Sequence, residues 1–160
     1  MGGLKYTGPS NRARTTMPLT DSSIKIKSAD DKDIPVYIYE PSIERIGAIV
    51  LIQEIFGVND HIKNVAERFS KEGFVTWVPD IFYRIEDGIS LGYSATDIEK
   101  GKNLKDKSGW DLPTMDILSC IANLKVSYNV ATIGFCYGGS LSWKAACSAY
   151  GLDASVCFYG

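Results

Sequence analysis

The sequence predicts an α/β protein built on a doubly wound, mostly parallel sheet. Two observations carry this. Short, wholly apolar runs alternate with longer segments of helical period along most of the chain. One such run, Val130-Ala131-Thr132-Ile133, passes through Gly134-Phe135-Cys136-Tyr137-Gly138-Gly139 straight into a helical pattern, a strand–turn–helix with a thiol at its apex. Neighbouring parallel strands need a crossover, usually a helix, so the alternation implies parallel pairing with helices on the sheet faces. The 160 residues suit one domain with a real core, expected over 22–160, after a non-periodic arm over 1–21 rich in Gly, Pro, Ser, Thr and Arg.

Taken in order, Ile24 and Ile26 alternate with lysines, as on a half-exposed strand. Asp30-Asp31-Lys32-Asp33 reads as a solvated turn, and Ile34 to Tyr39 as the second arm of a hairpin. Ile46 to Ile52 is a continuous apolar run, the mark of a strand covered on both faces. Asn59 or Asp60 caps a helix that places Ile62, Val65, Ala66 and Phe69 on one side and ends at Gly73. Phe74 to Val78 is a further buried strand, stopped by Pro79. Residues 80–109 are polar, with one short helix expected near Ala95 to Lys107. Asp111 to Lys125 is an amphipathic helix with Pro113 in its first turn and Leu112, Met115, Leu118, Ile121 and Ala122 expected inward. A helix from Ser140 to Ala149 and a last strand, Ala154 to Tyr159, complete the series.

Composition excludes several classes. A net charge of −2 with no basic block argues against nucleic acid and anionic membranes as partners. No stretch is apolar for long enough to span a bilayer, and the N-terminus has no signal core. Its start is also a poor myristoylation site, because Tyr6 stands where Ser or Thr is needed. The four cysteines, Cys120, Cys136, Cys147 and Cys157, show no Cys-x-x-Cys spacing, so neither a metal nor a redox pair is indicated. Cys120, Cys147 and Cys157 are expected to be buried, reduced thiols, which places the chain in the cytoplasm. No cofactor motif is read.

Cys136 is the candidate nucleophile. A thiol is intrinsically nucleophilic, and the start of a helix favours its anion. The backbone N–H of Tyr137 is a natural oxyanion donor. Gln53-Glu54-Ile55-Phe56-Gly57 leaves the first central strand at its carboxyl end, where ligands of such sheets bind. Glu54 therefore either points at the site or is a plain surface carboxylate. Pro79-Asp80-Ile81-Phe82-Tyr83-Arg84 leaves the next strand at the same end. Arg84 either clamps a substrate carboxylate or belongs to a structural ion pair, with Asp80 as one partner to consider.

Together these three motifs resemble the dienelactone hydrolase family from about Ile46 to Gly160, and more weakly back to the hairpin. The resemblance implies an α/β-hydrolase fold and cleavage of lactone or ester bonds by a Cys-His-Asp triad. On this chain it makes Cys136 the nucleophile and Glu54 the carboxylate that holds and helps deprotonate the thiol. It makes Ile55 and Tyr137 the oxyanion donors and Arg84 the binder of an anionic substrate group. The family's triad Asp and His follow the strand at which this sequence stops. The chain's one histidine, His61, reads as a helix-start or surface residue. Asp111, Asp116 and Asp153 do not sit on the expected acid loop. The expectation is a domain cut before its last strands and helices, with an uncovered sheet through which it could self-associate. Two rival readings remain, a glutamine-amidotransferase-like domain and a catalytically dead binding module.

Overall fold

The structure, a computed structural model, describes residues 22–149 and 151–160. The arm expected over 1–21 lies outside the described residues. Six strands form one sheet: β1 (Ser22–Lys27), β2 (Asp33–Tyr39), β3 (Gly47–Ile52), β4 (Phe74–Pro79), β5 (Val130–Phe135) and β6 (Ala154–Phe158). Their order across the sheet is β1-β2-β4-β3-β5-β6. β1, β2 and β4 pair antiparallel, while β4, β3, β5 and β6 run parallel. The predicted hairpin is therefore present, turned at Asp31 in the left-handed region with φ 63°.

The helices are α1 (Asp60–Lys71), α2 (Ala95–Ser108), α3 (Asp111–Lys125) and α4 (Tyr137–Ser148). β3 shows why the sheet is doubly wound. All six of its residues are buried, and alternate side chains serve two separate cores. Ala48, Val50 and Ile52 pack with Ile117, Cys120, Leu124, Leu141 and Ala145 from α3 and α4. Ile49 and Leu51 pack with Ile62 and Ala66 from α1. A strand clothed on both sides has no use for polar alternation, which explains its unbroken apolar run.

The route of the chain creates a topological switch point. From β3 it goes outward through α1 to β4, then crosses back over β3 through α2 and α3 to β5. The winding thus reverses between β3 and β5, and the loops leaving their carboxyl ends diverge there. In open α/β sheets this reversal point is where ligands bind.

Three expectations need correction. The inward face of α3 is Pro113, Thr114, Asp116, Ile117, Cys120, Ile121 and Leu124, while Leu112 and Ala122 are exposed and Met115 and Leu118 lie half-buried. The helix is rotated by about one position because Asp116 must face inward to meet Arg84 (below). Of the three cysteines expected inside, only Cys120 is buried. Cys147 lies on the outer face of α4 and Cys157 on the edge strand β6, so both are exposed. Finally, α4 begins at Tyr137 rather than Ser140, so Cys136 is itself the residue that caps the helix.

Candidate active site at the carboxyl ends of β3 and β5

Cys136 sits between β5 and α4 with φ 54° and ψ −120°, a left-handed conformation that side chains other than glycine rarely adopt. Such backbone strain, of order 1–3 kcal/mol, persists only where the surroundings over-determine it. Here they do. The Cys136 N–H donates to the Phe158 carbonyl at 2.9 Å, and the Cys136 carbonyl accepts from the Ser140 N–H at 3.1 Å. The thiol-bearing residue is half-buried rather than sealed in the core.

Two glycines make the bend possible. A Cβ on Gly134 would lie 1.9 Å from the Gly138 carbonyl oxygen. One on Gly138 would lie 2.4 Å from the carbonyl oxygen of Gln53 and 2.5 Å from that of Ile52. The first turn of α4 is thus pressed onto the end of β3, just where the chain continues into Glu54 and Ile55. Tyr137, the residue after the bend, therefore lies at the end of β3 from which Ile55 also leaves. Tyr137 is fixed further by its ring, which stacks on Phe82 with centroids 6.2 Å apart, and by a hydrogen bond from its hydroxyl to the Gly109 carbonyl.

The loop after β3 is tied to the loop after β4 by a side chain. Gln53 is fully buried, and its Oε1 accepts from the Ile81 N–H at 3.3 Å. Asp80, also buried, accepts from the N–H groups of Phe82 and Gly88, each at 3.0 Å. Burial pushes the Asp80 carboxyl up to about 6, against the opposing pull of those two donors, and the charge of Asp87 adds a little. Asp80 is therefore the clasp of its own loop and not the partner of Arg84.

Arg84 has other company. Its Nε donates to Asp116 Oδ2 at 2.9 Å and its Nη2 to Asp116 Oδ1 at 2.7 Å. Nη1 and Nη2 each reach Asp30 at 2.8 Å. Arg84 and Ser28 together hold the Asp30 carboxyl well below the usual carboxylate range. Two-point capture of a substrate anion would require Arg84 to release one of these carboxylates.

Glu54 is half-buried, and its Oε1 accepts from the Tyr159 hydroxyl at 3.2 Å. Tyr93 and Phe56 form a wall nearby, in edge contact at 4.8 Å, with Asn59 Nδ2 donating to the Tyr93 hydroxyl at 3.3 Å. The motifs did not single out Tyr159, Tyr93 or Asp116. The rule that ligands gather at carboxyl ends of strands would have pointed to Tyr159, which follows β6. His61 is the second residue of α1, exposed, with its ring 6.3 Å from that of Phe135. Asp111 pairs with Lys144, and Asp153 with Lys125 and the Val130 N–H. Among the described residues no group of His, Cys, Asp and Glu gathers as metal ligands, and no helix is long and apolar enough to cross a membrane.

Residues 34–160 match the profile of the dienelactone hydrolase family. The chain belongs to that family. A Synechocystis protein with the provisional name carboxymethylenebutenolidase is 38% identical over 130 residues, covering 78% of this chain and 52% of that protein. A Salmonella typhi protein of the same provisional name is 28% identical, covering 96% of this chain and 62% of that one. A Klebsiella pneumoniae structure, provisionally described as a dienelactone hydrolase, superposes with a TM-score of 0.73 at 24% identity, covering 87% of this chain and 59% of that one. That likeness establishes the α/β-hydrolase fold. The chain spans only about half to three-fifths of the length of these relatives.

Proposed function

We propose that this chain carries the nucleophilic half of a hydrolase that opens lactones or cleaves esters, with Cys136 as the attacking group. The observation that supports it most is the left-handed Cys136 at the junction of β5 and α4, pressed by Gly138 against the loop that bears Glu54. The start of α4 favours a thiolate, and Glu54 accepts the thiol proton. The sulfur adds to the carbonyl carbon. The N–H groups of Ile55 and Tyr137 stabilise the resulting oxyanion. Collapse breaks the carbon–oxygen bond of the ester, the leaving oxygen takes up the proton, and a thioester to Cys136 remains. Water then releases the acid.

That last step calls for a general base, which the family takes from an Asp–His pair that this sequence does not contain. In a serine protease, removing the base costs about 10⁶ in turnover and leaves roughly 10³–10⁴ over water. This chain alone should therefore acylate faster than it deacylates. We assign Arg84 to holding the loop after β4 and not to capturing an anionic substrate, because Asp30 and Asp116 already occupy its fork. A reducing compartment such as the cytoplasm suits a working thiol.

The test is an activated ester followed by intact mass. Cys136 should accumulate an acyl adduct, and Cys136→Ala should abolish both the adduct and any turnover. An adduct that persists in that variant, or equal labelling of Cys147 and Cys157, rejects the assignment in favour of a binding module.

A further inference from the structure

The chain after β6 wraps the catalytic bend. The Phe158 carbonyl accepts the Cys136 N–H at 2.9 Å, and a Cβ on Gly139 would meet Phe158 O at 2.5 Å and Gly160 at 3.1 Å. Between these contacts stands Tyr159, in the left-handed region at φ 37°. That backbone aims the side chain back over the bend. Its ring lies 6.2 Å from that of Phe135, and its hydroxyl donates to Glu54 Oε1 at 3.2 Å, joining residues 105 apart in sequence. Most of the ring is exposed, so apolar burial does not account for the placement.

We propose that Tyr159 is the positioning residue of this site, holding one carboxylate oxygen of Glu54 so that the other is left to address the Cys136 thiol. The inference rests on the cysteine-nucleophile reading above. A carboxylate on a freely rotating side chain spends most of its time elsewhere, and one directional hydrogen bond at its far oxygen narrows that range. The phenol is suited to the task at all working pH values. Loss of hydration around the hydroxyl, then the charges of Glu54, Cys136 and Tyr93, push its pKa above the usual value, so it remains a donor. The groups facing the hydroxyl are thus Glu54, Cys136 and Tyr93, with Phe135 beside the ring.

The experiment is the pH profile of iodoacetamide alkylation at Cys136, read by peptide mass spectrometry with Cys147 and Cys157 as internal references. Tyr159→Phe keeps the ring and removes one oxygen. It should slow alkylation of Cys136 near neutrality by roughly tenfold, the scale of one hydrogen bond to a charged group. Its midpoint should move to higher pH while the reference cysteines are unchanged. In a Glu54→Gln background the same substitution should have no further effect, because the group it positions is gone. Superimposable profiles for Tyr159→Phe and the parent overturn the proposal, as does a full tenfold effect in the Glu54→Gln background. Failure of the underlying nucleophile reading looks different: Cys136 would then alkylate no faster than the reference cysteines in the parent protein itself.

Discussion

At the scale of single residues, Arg84 is engaged on both sides of its guanidinium by carboxylates of its own chain. Its side chain is 14% exposed and that of Asp116 0%, so this half of the network is an ion pair shut away from water. Removing one partner strands the other charge, which costs about 3–5 kcal/mol in buried pairs. Asp30, at 37% exposure, is screened and adds far less. Arg84→Ala should therefore lower stability by about 3 kcal/mol, measured by urea unfolding, and should reduce turnover of anionic lactones and neutral esters in the same proportion. A selective loss on anionic substrates with unchanged stability would restore the substrate-binding role. Lysine is not an adequate replacement, since it offers a point charge where Asp116 and Asp30 engage a planar fork.

At the scale of elements, the bend between β5 and α4 depends on the absence of a side chain. Gly138→Ala puts a methyl 2.4 Å from the Gln53 carbonyl oxygen, where neither partner is a flexible side-chain tip. The helix must move away from β3. Overpacking of this kind costs about 1–3 kcal/mol, but the larger effect should be functional, because the proposed convergence of the Tyr137 and Ile55 N–H groups as oxyanion donors would be lost. Loss of one oxyanion donor costs about 10²–10³ in kcat, so the variant should remain folded by circular dichroism while kcat falls by that factor. An unchanged kcat would show that the convergence is not needed. This bend was legible in the sequence because glycine spacing around a cysteine reports a backbone constraint directly. The face of α3 was not, because apolar periodicity alone points Leu112 and Ala122 inward. What turns the helix is a polar residue, Asp116, drawn in by a partner 32 residues away. The place of Tyr159 at the carboxyl end of a strand was open to the rule for ligand sites, but its contact with Glu54 joins residues 105 apart, which no local pattern encodes.

At the scale of the whole molecule, the sheet is unevenly protected, and this can be measured. β3 is central, paired with β4 and β5, and buried along its whole length. Among the described residues β6 is paired only with β5, and Val156, Cys157 and Phe158 on it are exposed. An edge strand with little covering opens locally at a small fraction of the free energy needed to unfold the core. Hydrogen exchange by mass spectrometry on this chain should show β3 amides exchanging only with global unfolding, and β6 amides exchanging orders of magnitude faster. The Cys136 amide should fall with β6, since its acceptor is the Phe158 carbonyl. The bend that carries Cys136 would then be ordered by a strand which is itself weakly held. Anything that covers β6 should slow exchange at Cys136 and raise its alkylation selectivity together. Exchange of β6 as slow as that of β3 in a monodisperse monomer would break this link and leave the bend stabilised from the β3 side alone.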